Sequence, residues 1–244
     1  MIVRGSDYDG GGWHVHRNEA VRVPKRRSPN NEVMPHLILL GDSIFDNARY
    51  TAGGPAVIRQ VSALVPSGWR ASLLAVDGSI AKHVSSQVAR LPRDATHLVL
   101  SVGGNDALGQ TSIFESGASS AAEVLWRLAD IADGFENNYR TAVETCLRPG
   151  LPLAVCTIYN GCFPDPSYQR LASLALMVFN DVILRTAISH DLQVIDLRAV
   201  CSRPEDYANP IEPSSIGGEK IARAIVALVT DATPTARGAR IVAR

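Results

Sequence analysis

Four short polar segments contain residue types that together could attack the carbonyl group of an ester. They are residues 41–47 (GDSIFDN, with Ser43), 77–79 (DGS, with Gly78), 103–106 (GGND, with Asn105) and 209–213 (NPIEP, with Glu212). Each segment alone is typical of a tight turn or of a helix N-cap. Because the segments occur together, in this order along the chain and after apolar runs, they indicate a catalytic site.

Ser43 is the candidate nucleophile of this set. A serine hydroxyl attacks a carbonyl carbon efficiently only when a base removes its proton, and the attack creates an oxyanion that needs two or three fixed donors. The backbone N–H groups of Ser43 and Gly78 and the side-chain amide of Asn105 could supply these donors. Glycine permits close backbone approach, and an asparagine amide is neutral at any working pH. The pattern therefore predicts acyl transfer at Ser43.

The same segments resemble the SGNH hydrolases, also called GDSL esterases and lipases. The resemblance rests on GDSIFDN, on the glycine of DGS and on GGND, and it extends over residues 35–231, including the closing segment PSSIGGEKIARAI. It implies a nucleophilic Ser43 and an oxyanion hole formed by Ser43, Gly78 and Asn105. The α/β-hydrolase alternative is disfavoured because the sequence has no G-x-S-x-G motif.

The base departs from that family's pattern. The family closes with an aspartate and, three residues later, a histidine, whereas these positions hold Asn209 and Glu212, and residues 197–215 contain no histidine. We predict that Glu212 replaces the histidine as proton acceptor, with a pKa raised by burial beside Ile211. Asn209 is expected to orient Glu212 or its loop. In the competing interpretation, Glu212 is a solvent-facing carboxylate or a cap on the last helix.

Four further residues are candidates around this site. His83 is the one histidine expected near the correct face, because His36, His97 and His190 adjoin the amino ends of strands and His14 and His16 lie in the N-terminal extension. Asp46 and Asp106 are expected to hold their loops through backbone hydrogen bonds. Tyr159 follows the fourth strand and either lines the substrate pocket or packs as a core aromatic.

The elements that must position these residues alternate along the chain. Apolar runs predict strands over residues 37–40, 71–76, 96–102, 153–158 and 193–196. Helices are predicted over residues 55–64, 81–90, 121–147 (where Gly134 could interrupt the helix), 168–189 and 216–230. This alternation predicts a three-layer α/β/α sandwich with a flavodoxin-like five-stranded parallel sheet in the order 2-1-3-4-5. In such a sheet, ligands bind beyond the carboxyl ends of the strands, where the polar segments fall.

Composition divides the chain into one domain and two ends. We predict a flexible N-terminal extension (residues 1–35), an SGNH-hydrolase-like domain (36–232) and a flexible C-terminal tail (233–244), because both ends lack a helical or strand period. The extension contains Gly10, Gly11 and Gly12 and a basic stretch, KRRSPNN. Met34, just before the first strand, is an alternative start.

Composition also narrows the function classes. The chain has 24 lysines and arginines against 24 aspartates and glutamates, and this zero net charge argues against a nucleic-acid partner. No run of 18 apolar residues occurs, so no membrane partner is expected. Four cysteines without a C-x-x-C pair predict reduced thiols and a cytoplasmic location. No cofactor fingerprint or metal-ligand cluster is apparent, so we expect neither a cofactor nor a metal. The oligomeric state is not predicted.

Three functions follow from these observations. The first is a serine esterase that hydrolyses small or short-chain acyl esters. The alternative is a binding module that has lost turnover together with its histidine and holds an acyl or sugar ligand. The third is a phosphate or nucleotide binder that uses the first loop as an anion site, but Asp42 and Asp46 place negative charge there.

Overall fold

The computed structural model describes residues 34–230. The predicted N-terminal extension lies outside the described residues except for its last two positions, and the predicted C-terminal tail lies wholly outside them. The described residues form a sheet of five parallel strands: β1 (His36–Gly41), β2 (Arg70–Leu73), β3 (His97–Ser101), β4 (Leu153–Cys156) and β5 (Gln193–Ile195). Their order is β2-β1-β3-β4-β5, which confirms the predicted topology.

Seven α-helices accompany the sheet in the described part of the chain. They are α1 (Val57–Leu64), α2 (Val84–Val88), α3 (Gly104–Leu108), α4 (Ala121–Leu147), α5 (Pro166–Ser189), α6 (Leu197–Val200) and α7 (Ser215–Thr230). Four short 3-10 helices lie in the connections: Ala48–Tyr50, Ala81–His83, Thr111–Phe114 and Pro204–Asp206. The α4 helix runs without a break through Gly134, because a single glycine weakens a helix by only about 1 kcal/mol.

Alternation along the strands builds one apolar cluster on each face of the sheet. In β1, Ile38 and Leu40 point to the side of α2, α4 and α5, while Leu37 and Leu39 point to the side of α1, α6 and α7. All four side chains are fully buried. The sheet is therefore covered on both faces, as continuous apolar strands require, and only its carboxyl edge is left for a site.

The two longest helices start at recognisable caps. The Ser120 side chain accepts the Glu123 N–H at 3.1 Å at the start of α4, and Asp165 accepts the Ser167 N–H at 2.9 Å at the start of α5. The α5 helix is long and apolar enough to cross a membrane by length and mean hydropathy alone. Its buried residues, which include Phe179, Val182 and Ile183, pack into the core of this fold.

Candidate active site

Ser43 lies in a tight turn immediately after β1. The turn begins where the Asp42 N–H donates to the Ser101 carbonyl at 3.1 Å, and it closes where the Phe45 and Asp46 N–H groups both donate to the Asp42 carbonyl. The Ser43 residue is 7% exposed. The turn therefore holds the serine at the carboxyl edge of the sheet, at the floor of a cleft.

Glu212 is the hydrogen-bond partner of this serine. The Ser43 hydroxyl donates to Glu212 Oε1 at 3.0 Å, although 169 positions separate the two residues. Glu212 is 5% exposed, so the solvent-facing interpretation of this carboxylate is wrong. Among the described residues, Glu212 Oε2 is buried without a hydrogen-bond partner.

The loop that carries Glu212 is fixed by its own backbone and by Asn209. The Asn209 side-chain oxygen accepts the N–H groups of both Ile211 and Glu212 at 3.0 Å. The Ala208 N–H donates to the Glu212 carbonyl at 2.9 Å. Asn209 thus orients the loop backbone, which is one of the two arrangements expected for it.

Neighbouring segments clamp the same loop from outside. The Tyr159 hydroxyl donates to the Ile211 carbonyl at 2.6 Å, so this buried aromatic both lines the cleft and anchors the loop. The carbonyls of Pro210 and Pro213, on either side of Glu212, accept from the Cys162 N–H and from the Asn47 side chain. Every residue from 210 to 213 except Glu212 is therefore held by a carbonyl contact to another segment.

Gly161 lets the two segments approach closely. A Cβ atom at this position would lie 2.7 Å from the Pro210 carbonyl oxygen, and the φ angle of Gly161 is +70°. Glycine alone meets both conditions without strain.

The three donors predicted for an oxyanion lie on the turn after β1 (Ser43), on the loop after β2 (Gly78) and in α3 (Asn105). The Ser43 and Gly78 backbone N–H groups have no hydrogen-bond partner within residues 34–230. The Asn105 side-chain amide donates one hydrogen to the Ser79 carbonyl at 3.0 Å, a contact that orients the amide. Unpartnered N–H groups beside a nucleophile are available to bind an oxyanion.

Gly78 owes its identity to its backbone angle. Its φ is +79°, in the left-handed region, and a Cβ atom there would meet no protein atom within 4 Å. The backbone angle of this turn therefore requires glycine, and the close backbone approach expected from the sequence stays a prediction.

Asp46 and Asp106 each hold a neighbouring loop. Asp46 Oδ2 accepts the Asp77 N–H at 3.0 Å, and Asp106 Oδ2 accepts the Ala81 N–H at 3.0 Å. These are backbone contacts of the kind expected for both carboxylates. They tie the loop after β2 to the turn that carries Ser43 and to α3, which carries Asn105.

None of the four histidines within residues 34–230 is hydrogen-bonded to Ser43. His83 is exposed, and its Nδ1 accepts the Ile80 N–H at 3.3 Å. His36 and His97 lie at the amino ends of β1 and β3, and His190 follows α5. His14 and His16 fall outside the described residues. The hydrogen bond that Ser43 donates in this structure therefore goes to a carboxylate, not to an imidazole.

Two buried carboxyl groups flank the nucleophile. Burial raises the pKa of Glu212 to about 7, against a smaller lowering by the Ser43 hydroxyl. Burial also raises the pKa of Asp42 to about 8, and the negative charges of Glu212 and Asp106 add to that rise. Glu212 is therefore poised to exchange a proton near neutral pH.

Two buried amide side chains that support the site were not identified from the sequence. Gln87 from α2 is 1% exposed and brackets Gly41, accepting its N–H and donating to its carbonyl, both at 2.8 Å. Asn180 from α5 brackets Ile158 in the same way, at 2.8 and 2.9 Å. A lone amide in an apolar helix, such as Asn180 in LALMVFNDVIL, is the signal that could have found the second of these.

An open cleft leads from Ser43 to the α4 and α5 side of the sheet. Its cavity volume is about 100 Å³, and its only acidic or basic lining residues, within the part of the chain that the structure describes, are Asp42 and Glu212. In residues 34–230, no cluster of His, Cys, Asp and Glu side chains is arranged to hold a metal ion. The arrangement supports nucleophilic attack at Ser43 with a carboxylate as base.

Comparison with known sequences matches most of the chain to one family. The sequence model of the GDSL-like Lipase/Acylhydrolase family matches residues 39–241. A search of curated proteins found no match.

Solved structures with the same fold include three ester hydrolases at low identity. Phospholipase A1 from Streptomyces albidoflavus NA297 is 14% identical with a TM-score of 0.58, and the match covers 78% of this chain and 97% of that one. An acetyl xylan esterase is 18% identical with a TM-score of 0.61, covering 80% and 99%. An extracellular lipase from Streptomyces rimosus is 16% identical with a TM-score of 0.57, covering 82% and 100%.

Proposed function

Since the chain belongs to the GDSL-like lipase/acylhydrolase family and is a carboxylic ester hydrolase, we propose that it cleaves acyl esters through an acyl-enzyme on Ser43, with Glu212 as the general base. The observation that carries this proposal is the 3.0 Å hydrogen bond from the Ser43 hydroxyl to Glu212 Oε1. A base within hydrogen-bond reach of the proton it removes is the first requirement of such a mechanism.

The first half-reaction acylates the serine. Ser43 Oγ bonds to the ester carbonyl carbon as its proton passes to Glu212, and the carbonyl oxygen becomes an oxyanion. When the oxyanion collapses, the bond to the alcohol oxygen breaks and the protonated Glu212 returns the proton to that oxygen. The alcohol leaves, and the acyl group stays on Ser43.

The second half-reaction releases the acid. Glu212 removes a proton from a water molecule, whose oxygen bonds to the acyl carbon and forms a second oxyanion. Collapse breaks the bond to Ser43 Oγ, which regains the proton from Glu212. The products are one carboxylic acid and the free enzyme.

The oxyanion is stabilised in this proposal by Ser43, Gly78 and Asn105. The two backbone N–H groups without partners, together with the oriented Asn105 amide, support this assignment. Loss of one such donor typically lowers kcat by about 10²–10³-fold.

The raised pKa of Glu212 supports its role as base. An ordinary glutamate is a weak match for a serine hydroxyl at neutral pH, and each unit of added basicity narrows that gap by about 1.4 kcal/mol. Burial raises this pKa to about 7, while the carboxyl group remains able to ionise in the working range.

The test compares four proteins with a fluorophosphonate probe and with 4-nitrophenyl acetate. Ser43→Ala is expected to abolish both labelling and turnover, and Glu212→Gln to lower kcat by about 10²-fold or more. Glu205→Gln, an exposed carboxylate on the same connection, is the matched control and should behave like the wild type.

Three outcomes would contradict parts of the proposal. Full activity in Glu212→Gln would overturn the base, and His83→Ala would then be the next variant. Turnover that survives Ser43→Ala would overturn the nucleophile. A wild-type protein that binds acyl or sugar ligands but neither labels nor turns over would favour the binding module over the esterase.

A further inference from the structure

The cleft beside Ser43 extends into a groove between α4 and α5. Five lining residues come from α5, at positions spaced by helical turns: Tyr168, Ala172, Ala175, Leu176 and Phe179. This spacing puts them on one face of the helix. Across from them, α4 contributes Leu128 and Ile131.

The groove is apolar along these walls. Its charged groups, Asp42 and Glu212, both lie next to the reacting serine, and none of the α4 or α5 residues that line it carries a charge. Burying apolar substrate atoms against such a wall is favourable, whereas the wall offers few hydrogen-bond partners to a sugar or a phosphate.

The groove is closed at the catalytic end and opens outward. Asn180 brackets the backbone of Ile158 just after β4, so the neighbouring Phe179 lies at the carboxyl edge of the sheet, and it is 3% exposed. Towards the start of the same helix, the lining residue Tyr168 is half-buried. On α4, exposure likewise rises toward Val124, which is 37% exposed.

Helix geometry sets the length of the groove. The lining positions from Tyr168 to Phe179 cover about 16 Å of helix at about 1.5 Å per residue. An extended chain advances about 1.2 Å per bond, since three backbone bonds span at most about 3.3–3.6 Å. The wall therefore spans about thirteen bonds of an extended chain, and an acyl chain of about eight to twelve carbons fits within it.

We propose that this groove binds the acyl part of the substrate and that the preferred acyl group is a linear hydrocarbon chain of about eight to twelve carbons. This inference rests on the proposed esterase function and lengthens the acyl group beyond the short chain expected from the sequence. Ala172 and Ala175 are the residues that keep the groove open, because their small side chains leave room that a larger residue would fill.

The experiment measures kcat/KM for 4-nitrophenyl acetate, octanoate and decanoate below their aggregation concentrations. In the wild type, kcat/KM is expected to rise by roughly threefold to fourfold per added methylene until the groove is filled. Ala175→Phe should lower the decanoate-to-acetate ratio of kcat/KM by about tenfold or more, because the larger side chain obstructs the path of the long acyl chain. Ala129→Phe, the same change at an exposed position of α4, is the matched control.

Two results of these rate measurements would contradict the acyl groove. A wild-type rate that does not rise from acetate to decanoate, or an Ala175→Phe variant that keeps the decanoate preference, would overturn it. Decyl acetate tests the opposite polarity, because a preference for that ester that Ala175→Phe removes would assign the groove to the alcohol. If Ala175→Phe does not fold, Ala175→Val provides a smaller obstruction with the same expected direction.

Separate measurements distinguish a wrong assignment of the groove from a wrong proposed function. Acetate turnover and fluorophosphonate labelling of the wild type report on the catalytic groups. Binding of decanoic acid to the Ser43→Ala protein, measured by calorimetry, reports on the groove alone, and Ala175→Phe introduced into that protein should weaken it by about tenfold. Equal binding by the two proteins would contradict the assignment of the groove even in an active esterase.

Discussion

In the proposed mechanism Glu212 takes the role of the histidine expected from the family pattern, and its carboxyl group accepts a hydrogen bond from the Ser43 hydroxyl at 3.0 Å. Two properties suit it to that place: it is buried, and its pKa is raised to about 7. A carboxylate with an ordinary pKa would be ionised throughout the neutral range but would be a poor base. Burial therefore supplies the basicity that the residue type lacks.

The pH dependence of the rate follows from this pKa. The base must be ionised, so kcat/KM for a neutral ester should rise with pH through about 7 and then level off. The measurement is a rate profile from pH 5 to 9 on 4-nitrophenyl acetate. If the residual activity of Glu212→Gln still fell at low pH in the same way, the titrating group would be another one, such as Asp42.

The free energy of unfolding should also depend on the ionisation of Glu212, but it should fall as the pH rises. The folded pKa lies above the unfolded value of 4.5, so folding favours the protonated form, and stability falls as pH rises from about 4.5 to 7. Glu212→Gln removes this loss. At pH 8 the variant should be more stable than the wild type by about 3 kcal/mol, and at pH 4.5 the difference should nearly vanish. Urea unfolding at both pH values is the measurement, and equal stabilities at pH 8 would contradict the cost of burying this charge.

At the scale of elements, the loop between α6 and α7 decides where Glu212 points. Asn209 shapes the loop from within, and Tyr159 and Cys162 hold it from the segment after β4. This loop crosses from the end of β5 to the end of β1, three strands away. Its anchors therefore control the geometry of the base without touching the substrate carbonyl.

Tyr159→Phe tests one anchor. The change removes the hydroxyl that donates to the Ile211 carbonyl, which should cost about 1 kcal/mol of stability and lower kcat severalfold with little change in KM. Tyr139→Phe is the matched control, because the Tyr139 hydroxyl is buried without a partner among the described residues. Its loss should leave kcat unchanged and stability equal or higher. The same fall in kcat in both variants would exclude a specific role for the Tyr159 anchor.

The elements themselves were largely predictable, because apolar runs mark buried parallel strands and helical periods mark the layers. Residues 37–40 and 153–158 gave strands in the right places, although β4 ends at Cys156. Hydrogen bonds made by buried side-chain amides were harder to predict from the sequence. Gln87 brackets Gly41 only because α2 packs against β1, and no local pattern in the sequence specifies that approach.

At the scale of the whole molecule, the site is assembled from loops that follow all five strands. Its location was predictable because parallel strands bring their carboxyl ends to one edge, and Ser43, Gly78, Asn105, Tyr159 and Glu212 each follow a different strand. The apolar groove was not predictable, since its walls come from two helices whose facing residues read as ordinary core positions. The cytoplasmic location and the absence of membrane and nucleic-acid partners stay predictions.

The predicted domain boundaries have a direct test. Both core clusters and every proposed catalytic group lie within residues 34–230, so a protein of residues 34–232 should fold cooperatively and keep kcat/KM within about twofold. The family match reaches residue 241, and a second protein of residues 34–244 is therefore the control. A large loss of stability in the shorter protein alone would place the end of the domain beyond 232.

In the proposed mechanism, the transfer of the Ser43 proton to Glu212 determines where negative charge develops during the reaction. An imidazole that takes the serine proton becomes a cation beside the newly formed alkoxide, and the two opposite charges attract. A carboxylate that takes it becomes neutral, so the single negative charge migrates from Glu212 to the substrate oxygen and no positive partner appears. The peptide N–H groups and the Asn105 amide must then hold that anion unaided. Acyl groups bearing their own negative charge near the carbonyl would be repelled from such a centre.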